Sequence, residues 1–338
     1  MKRLLYIYNP TAGRHKAREN LSDVLEVFAG QGYDITVHPT LERGDATDTV
    51  IQQGGCFDRV VCCGGDGTLN ETVHGLLALP EDRRPVLGYI PAGTTNDFSR
   101  TLELPKTPVE LAEVAGEGAP RPIDVGDADG RLFTYVAAFG LFTDVSYSTP
   151  QASKNLLGHF AYVLEGAGKL TNIPSYHMVV STPDGPDVEG DFIYGMVGNT
   201  VSVGGLVNLP RDKVSLDDGK FEVLLIRQPK NGKDWQSILT ALTTLELGED
   251  GAVVGFQTGE VTFTCDAPVA WTVDGEFGGE QAVTHIHSRR RAVTIASGGP
   301  LFLCKEKAGQ KETSARRRPD SRIVPFLPGD KTRQLSAT

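Results

Sequence analysis

The sequence predicts two domains, of which the first is a doubly wound α/β domain and the second is β-rich and sandwich-like. The chain has 338 residues, which fits two domains better than one. Short apolar runs alternate with helical patterns over residues 1–125, as is typical of a parallel sheet with helices on both faces. Strand-like stretches dominate residues 126–291, as is typical of a sandwich or a flattened barrel.

The elements of the first domain follow from apolar spacing. The first helix is predicted from Ala17, Leu21, Val24, Leu25 and Phe28, which recur at helical spacing before Gly30 ends the pattern. A later helix has Thr107 as its cap and a proline at its first position. Short apolar runs predict strands at 3–8, 33–38, 60–63 and 86–90, and helical patterns predict further helices at 69–79 and 108–115.

The second domain is predicted to be built mainly from hairpins. Asp129-Gly130 is a two-residue turn signal between strands at 124–127 and 132–138. Further strands are predicted at 176–181, 192–197, 221–226, 261–265, 269–273, 283–287 and 292–296, and helices at 155–169 and 235–247.

Composition and charge exclude several classes of protein. The net charge of −10 argues against a nucleic-acid partner held by its phosphate backbone. The apolar run after Met1-Lys2-Arg3 is too short for a signal peptide, and no run of about 18 apolar residues predicts a membrane span. Five cysteines without C-x-x-C spacing indicate a reducing, cytoplasmic location. Residues 305–338 carry nine basic and four acidic residues and are predicted to form a disordered basic tail.

A glycine-rich loop is the strongest indication of chemistry. It reads Gly64-Gly65-Asp66-Gly67-Thr68-Leu69-Asn70-Glu71, follows a buried strand and opens a helix, where backbone amides and the helix dipole favour an anion. Asp66 would repel a bare phosphate, which implies a metal ion between them. The third glycine of a dinucleotide fingerprint and the lysine of a Walker A loop are both missing.

Two other loops leave strand ends on the same expected side of the sheet. One is Asn9-Pro10-Thr11-Ala12-Gly13, and the other runs from Pro91 to Asp97. Each loop alone has the composition of an ordinary turn. Ligands of doubly wound sheets bind beyond the carboxyl ends of the strands, so the three loops together predict a nucleotide site.

These motifs resemble the catalytic domain of the diacylglycerol kinase family. The resemblance rests on Asn9-Pro10 with Gly13, on the glycine-rich loop, and on Pro91-x-Gly93-Thr94-x-Asn96-Asp97. Leu216-Asp217-Asp218-Gly219 and Val273-Asp274-Gly275-Glu276 follow in the expected order, and segments 146–150 and 158–162 resemble the soluble bacterial enzymes in particular. It covers residues 1–300. Sphingosine kinases, other lipid kinases and, more distantly, NAD kinases and phosphofructokinases share the Gly-Gly-Asp-Gly-Thr core.

The resemblance implies a role for specific residues. Glu276 would be the base on the acceptor hydroxyl, and Asp66, Asp97 and Asp124 would form a carboxylate network around a catalytic Mg²⁺. A second, structural metal would be held by Ser215, Asp218 and the carbonyl of Lys220, although Ser215 stands where lysine is common. ATP would lie against Asn9, Pro10, Thr11, Ala12, Gly13, Thr40, Gly64, Gly65, Asp66, Gly67, Thr68, Leu69, Asn70, Glu71 and Thr94.

The function that follows is transfer of the γ-phosphate of ATP to diacylglycerol, giving phosphatidic acid in membrane phospholipid turnover. The chain would return to the ATP-binding domain at about 292–304, and relatives suggest a homodimer. Two alternatives are a kinase of another lipid acceptor (a sphingoid base, phosphatidylglycerol or a polyprenol) and a non-catalytic nucleotide or lipid sensor.

A diacylglycerol acceptor implies contact with the inner face of the membrane. The apolar helical face Leu156, Leu157, Phe160, Val163 and Leu164 could meet lipid, although such faces more often pack in a core. Arg289-Arg290-Arg291 and the basic tail could bind anionic lipid.

Overall fold

The computed structural model describes residues 1–13, 15–93, 96–141, 173–183, 185, 187–200, 202–203, 207–208, 214–244, 247 and 251–298, without the side chains of residues 16, 97, 100, 202, 203, 207 and 208. The helices are α1 Lys16–Glu19, α2 Leu21–Gly30, α3 Asp45–Gln53, α4 Asp66–Ala78, α5 Asp97–Thr101, α6 Pro108–Glu117 and α7 Gly232–Thr244. The strands are β1 Lys2–Tyr8, β2 Tyr33–Pro39, β3 Arg59–Gly64, β4 Val86–Pro91, β5 Ala119–Ala128, β6 Arg131–Phe133, β7 Val136–Gly140, β8 Tyr176–Ser181, β9 Val188–Gly198, β10 Ser202–Val203, β11 Val207–Asn208, β12 Phe221–Arg227, β13 Val253–Thr258, β14 Glu260–Val273 and β15 Glu276–Ser297.

The N-terminal half is a parallel sheet with helices on both faces. Its strand order is β4-β3-β1-β2, and each adjacent pair is parallel. Alternate residues of β1 enter different cores: Leu4 and Tyr6 pack with residues of α2 and α6, whereas Leu5 and Ile7 pack with residues of α3 and α4. The chain moves outward from β1 to β2 and then returns past β1 to β3. The boundary between β1 and β3 is therefore the switch point at which such sheets bind ligands.

The C-terminal half is antiparallel and surrounds a core of its own. The strand order from β13 is β13-β12-β9-β7-β14-β15, with β8 between β9 and β14 and with β5 and β6 beyond β15. The ring centroids of Phe133 in β6 and Phe221 in β12 lie 5.4 Å apart, although several strands separate them in this order. The sheet must therefore bend over on itself, and Phe139, Phe263 and Trp271 pack in the interior.

The long strand β15 connects the two halves. Its first residues pair with β14, its last residues pair with β5, and Ile295 lies beside Leu87 of β4 in parallel register. One hydrogen-bonded sheet thus runs through both halves of the described chain. In the part of the chain that the structure describes, no helix combines the length and the apolar character needed to span a bilayer.

The predicted strands of the first half are confirmed to within one residue at each end, as is the Thr107 cap of α6, which accepts the Glu110 amide. The Asp129-Gly130 hairpin is confirmed as well, with φ angles of 49° and 86° that suit a type I′ turn. The predicted helix at 17–30 is instead interrupted at Asn20. The predicted helix at 155–169 lies outside the described residues.

Several other boundaries in the second half were wrong. The strand predicted at 132–138 breaks at Thr134 and Tyr135, because the amides of these residues donate to the buried Asp274 side chain. The two strands predicted at 261–265 and 269–273 form the single strand β14, and the two predicted at 283–287 and 292–296 form the single strand β15. The pairing of both long strands contains register shifts. Helix α3 and strand β13 were not predicted.

Candidate active site

The three loops predicted to form a nucleotide site lie side by side at the carboxyl edge of the parallel sheet. The Asn9 amide donates to the Cys63 carbonyl at 2.9 Å, and the Ala92 amide donates to the Gly64 carbonyl at 2.8 Å. The Thr40 amide donates to the Tyr8 carbonyl at 2.9 Å, which adds the end of β2 to the group. Backbone hydrogen bonds therefore hold the ends of all four parallel strands together.

Glycines allow two of these loops to touch through their backbones. A Cβ atom on Gly93 would lie 2.6 Å from the Cα of Gly65, a separation that side-chain carbons do not tolerate. Gly65 is the extended N-cap residue of α4, which begins at Asp66. The first amides of a helix have no intrahelical partner, so the N-terminus of α4 presents donors and a positive dipole end to this edge.

A cleft of about 580 Å³ opens between these loops and the start of β15. Glu276, the predicted base, is part of its wall. The residues predicted to contact ATP that line the cleft are Asn9, Thr11, Ala12, Gly13, Thr40, Gly65, Gly67, Thr68 and Glu71.

The other predicted ATP contacts are placed differently. Leu69 is fully buried in the core, and the Asn70 amide group donates to the Asp274 carboxylate at 2.8 Å and to the Leu132 carbonyl at 3.1 Å. Pro10, Gly64 and Asp66 are not among the described residues that line the cleft. Thr94 lies outside the described residues, as does the side chain of Asp97, whose backbone begins α5.

One wall of the cleft was missed by sequence reasoning. Leu41, Glu42 and Arg43 lie between β2 and α3 and line the cleft, as does Gly93. This rim, residues 40–44, is fixed at both ends: the Leu41 amide donates to Asp45 Oδ2 at 2.7 Å, and the Gly44 amide donates to Glu71 Oε1 at 2.9 Å. The acidic residues that open α3 were the available signal, because acids in the first turn are typical of a helix start.

Glu276 meets an arginine from this rim. The Asp274-Gly275 turn has φ angles of 49° and 85°, and Glu276 is the first residue of β15 after it. Arg43 Nη2 donates to Glu276 Oε2 in an ion pair. Among the described residues that line the cleft, Arg43 carries the one cationic side chain, beside the acidic Glu42, Glu71 and Glu276.

Asp274 fixes the turn that carries Glu276. Its buried carboxylate accepts the amides of Thr134, Tyr135 and Val136 at 2.7–3.1 Å, the Thr134 hydroxyl at 2.9 Å and the Asn70 side chain at 2.8 Å. Burial raises the pKa of Asp274, while these hydrogen bonds favour its ionised form and oppose the rise. Asp274 thereby joins α4, the β6–β7 connection and the β14–β15 turn.

Asp124 lies with the residues predicted to hold a structural metal. Its two carboxylate oxygens accept the amides of Gly219 and Arg291, each at 2.6 Å, and it is not among the described residues that line the cleft. The Asp218 carboxylate accepts the Lys220 amide at 2.9 Å, and the Ser215 hydroxyl donates to Asp217 at 3.2 Å.

Burial is the main electrostatic effect in this cluster. It raises the pKa of Asp124 to about 6, with Asp218 and Asp217 adding to the rise, and it raises the pKa of Asp218. Arg291 Nη2 lies 3.1 Å from Asp217 Oδ2 and offsets part of the negative charge. Within the described ranges, no three His, Cys, Asp or Glu side chains are grouped in a way that could hold a metal ion.

Comparison with known proteins places these features in a family. The model of the diacylglycerol kinase catalytic domain matches residues 3–128. The chain is 35% identical over 284 residues to a diacylglycerol kinase of Bacillus subtilis (strain 168), covering 82% of this chain and 91% of that protein. It is 32% identical over 298 residues to a diacylglycerol kinase of Staphylococcus aureus (strain MRSA252), covering 87% and 92%.

A solved structure is also similar to this chain. A crystal structure from Bacillus anthracis (strain Sterne), described as a candidate diacylglycerol kinase, matches with a TM-score of 0.72 and 26% identity, covering 89% of this chain and 97% of the other. Sequence identity and fold extend over both halves of the chain, well beyond the catalytic-domain match. The chain therefore belongs to the diacylglycerol kinase family.

Proposed function

We propose that this protein transfers the γ-phosphate of ATP to the free hydroxyl of diacylglycerol, giving phosphatidic acid in membrane phospholipid turnover. The observation that carries the proposal is the cleft in which the N-terminus of α4, the glycine loops and the Glu276 carboxylate meet. Its relatives in Bacillus subtilis and Staphylococcus aureus bear the name of this activity.

The phosphates of ATP would be bound by backbone amides and by Arg43. Phosphoryl transfer depends mainly on positioning and on neutralisation of charge, and amides at a helix N-terminus provide both. Arg43 extends into the same cleft and carries a guanidinium, which matches the geometry of phosphate oxygens. Entry of a phosphate would move Arg43 from Glu276 to the γ-phosphate and would leave the carboxylate available.

Glu276 would act as the general base. The acceptor oxygen forms a bond to the γ-phosphorus while the bond from that phosphorus to the ADP oxygen breaks, and the hydroxyl proton passes to the Glu276 carboxylate. Glu276 is 51% exposed at the cleft mouth, where an acceptor hydroxyl can approach. Its side-chain oxygen Oε1 lies close to Gly67, 3.8 Å from the position of a Cβ on that glycine.

The carboxylates of the chain suit Mg²⁺, which prefers oxygen ligands. Asp66, Asp97 and Asp124 would serve the catalytic ion, and Ser215, Asp218 and the Lys220 carbonyl would hold a structural one. The hydrogen bond from the Gly219 amide to Asp124 lies next to Asp218 in the chain, and it supports placing the two sets of carboxylates close together. When bound, Mg²⁺ supplies neutralisation of phosphate charge.

We further propose that residues 1–125 form the ATP-binding domain, that 126–291 form the lipid-binding domain, and that the chain returns to the first at 292–304. The parallel pairing of Ile295 with Leu87 supports the return. A cytoplasmic location with transient contact at the inner face of the membrane, and a homodimer, complete the proposal.

The test is transfer of labelled γ-phosphate from ATP, with Mg²⁺, to lipids in mixed micelles. The lipid acceptors are diacylglycerol, sphingosine, phosphatidylglycerol and undecaprenol, and NAD is a water-soluble control acceptor. Label in phosphatidic acid, lost in Glu276→Gln, is the expected result. Label on another acceptor would show that this acceptor, and not diacylglycerol, is the substrate. If the protein binds ATP but transfers no label, the result would favour a non-catalytic sensor.

A further inference from the structure

Two large apolar side chains are exposed in the segments that carry Arg43 and Glu276. Leu41 is 85% exposed and Phe277 is 54% exposed. Apart from Met1, they are the two most exposed large apolar side chains in the part of the chain that the structure describes. Single exposed apolar residues are common on protein surfaces, but a group of them beside a functional cleft indicates a contact surface.

The two residues belong to segments of the chain that meet beside the cleft. The ion pair between Arg43 and Glu276 joins the rim to the first residue of β15. Leu41 precedes Arg43 by two residues, and Phe277 directly follows Glu276. The ion pair therefore brings the backbone segments of Leu41 and Phe277 together, although they are far apart in sequence. Leu41 lines the cleft, and Phe277 lies next to it in the chain segment that carries Glu276.

Hydrogen bonds hold the backbone at both positions. The Leu41 amide donates to Asp45, and the Phe277 carbonyl accepts Arg131 Nη1 at 3.3 Å. Their side chains are thus presented by fixed segments of backbone. A fixed, exposed apolar side chain can enter an apolar phase without the entropic cost of ordering a loop.

Two arginines lie near these two residues. Arg43 is 78% exposed, and Arg131 is exposed and reaches the backbone of Phe277 and the vicinity of Gly279. Guanidinium groups bind phosphate groups well, and basic residues near an anionic membrane are attracted to it. Glu42 is exposed on the same rim, so we expect the apolar pair to contribute more than the net charge.

We propose that Leu41, Arg131 and Phe277 form a lip that docks on a phospholipid surface, while Arg43 remains with the nucleotide. Leu41 and Phe277 would enter the acyl region, Arg131 would meet lipid phosphates, and Glu276 would lie at the depth of the acceptor hydroxyl. This inference rests on the proposed function. It assigns membrane contact to residues other than 156–164, 289–291 and the basic tail.

A tryptophan at position 277 reports on this contact directly. The native residues Trp235 and Trp271 are both buried, so a change of emission in Phe277→Trp arises at the lip. The probe is a vesicle of phosphatidylcholine and phosphatidylglycerol in equal parts, with diacylglycerol added. We expect a blue shift, and quenching by lipids brominated on their acyl chains. Val109→Trp, at an exposed position of α6, is the matched control and should show neither effect.

Vesicle binding by serine variants tests the energetic contribution. Phe277→Ser and Leu41→Ser should each weaken binding by about tenfold, as expected for loss of a large apolar side chain from a lipid contact. Ile51→Ser and Val109→Ser remove exposed apolar side chains elsewhere and should bind as the wild type does. Thermal unfolding of each variant shows that the fold is retained.

Three outcomes would overturn the proposed lip. The first is vesicle binding without an emission change in Phe277→Trp, and the second is no vesicle binding at all. The third is an emission change that follows protein concentration without lipid, which would mean that a second copy of the chain covers the lip.

Turnover of a dispersed short-chain diacylglycerol separates the lip from the proposed function, because Phe277→Ser should keep the wild-type rate on this substrate. A wild-type protein that phosphorylates no diacylglycerol would refute the function and leave the vesicle measurements to decide the lip.

Discussion

At the scale of single residues, the ion pair between Arg43 and Glu276 is the contact from which the proposed chemistry starts. Both side chains are more than half exposed, so the pair contributes only about 0–1 kcal/mol to stability. A weak pair of this kind can separate when a phosphate group competes for the arginine. We therefore regard it as a resting arrangement of two functional side chains.

Glu276→Gln tests the base. Glutamine keeps the shape of the side chain and can still accept from Arg43, but it cannot take a proton from the acceptor. We expect kcat to fall by about a hundredfold or more while ATP affinity stays near that of the wild type. Glu280→Gln, on the same strand and exposed, is the control. Near-normal turnover in Glu276→Gln would remove the residue from the mechanism.

Arg43→Ala tests the phosphate contact. Loss of a charged hydrogen-bond donor should raise the Kd for ATP roughly tenfold or more, as measured by calorimetry. If the contact is to the γ-phosphate, the Kd for ADP should hardly change. Arg83→Ala, at an exposed arginine that does not line the cleft, should bind both nucleotides normally. Equal effects on ATP and ADP would contradict the assignment to the γ-phosphate.

At the scale of elements, the site depends on how closely its loops approach one another. The rim is held between Asp45 at the start of α3 and Glu71 within α4. The glycine loops touch through Gly65 and Gly93. The cleft thus has two walls fixed by backbone contacts, and small changes in either should affect nucleotide binding.

Gly93→Ala should disturb one of these walls. The new methyl group would lie 2.6 Å from the Gly65 Cα, so the loop that leads to Thr94 and Asp97 must shift. Since a displacement of about 1 Å can lower a rate by about a hundredfold, we expect kcat/KM for ATP to fall roughly tenfold to a hundredfold. Gly30→Ala, where a methyl group would meet no atom within 4 Å, is the control. Equal rates for the two variants would show that the close approach has no functional effect.

The hydrogen bond by which Asp45 fixes the rim should depend on pH. Burial opposes its charge, but hydrogen bonds from the Leu41 amide and from His38 outweigh this effect and lower the pKa of Asp45. Because the pKa of Asp45 is lower in the folded protein, its charge stabilises the fold at pH values above the pKa of an unfolded aspartate. This stabilisation is lost as the pH falls through the pKa of Asp45 in the folded protein.

Asp45→Asn should therefore lower the free energy of unfolding by about 1 kcal/mol near neutral pH. The difference from the wild type should shrink toward zero in acid, as measured by urea unfolding across pH. Asp48→Asn changes an exposed aspartate in the same helical turn and should show no such trend. A difference that does not vary with pH would exclude the charge of Asp45 as its source.

At the scale of the whole molecule, one buried carboxylate holds the two halves in register. Asp274 accepts from Asn70 in the parallel half and from Thr134, Tyr135 and Val136 in the antiparallel half. The sheet is also continuous through β15. The position of Glu276 over the cleft therefore follows from the junction of the halves and not from either half alone.

Asp274→Ala should destabilise the entire protein. It leaves several buried donors without an acceptor, so we expect the free energy of unfolding to drop by at least about 3 kcal/mol. Urea unfolding followed by circular dichroism measures the loss. Asp266→Asn, at an exposed aspartate of β14, should change stability little. A small effect of Asp274→Ala would show that water or neighbouring groups replace the carboxylate.

Features that depend on neighbouring residues could be predicted from the sequence. The short apolar run at 3–8 predicted β1, and the strand before Gly64 with the helix after it identified the glycine loop. The Asp129-Gly130 hairpin could also be predicted locally, because the φ angles above zero in its turn limit the residue types that fit.

Other features depend on contacts that no local pattern records. Arg43 and Glu276 are 233 residues apart, and they meet only because the first residue of β15 lies in the wall of the cleft beside the rim. Asp124 lies beside the 217–219 turn because the amides of Gly219 and Arg291 converge on it. The segments of Leu41 and Phe277 come together through the ion pair between Arg43 and Glu276. Periodicity reports which face of an element is buried. Which elements then come together is decided by tertiary packing and hydrogen bonding, and this placed the rim, the lip and Asp274 around the site.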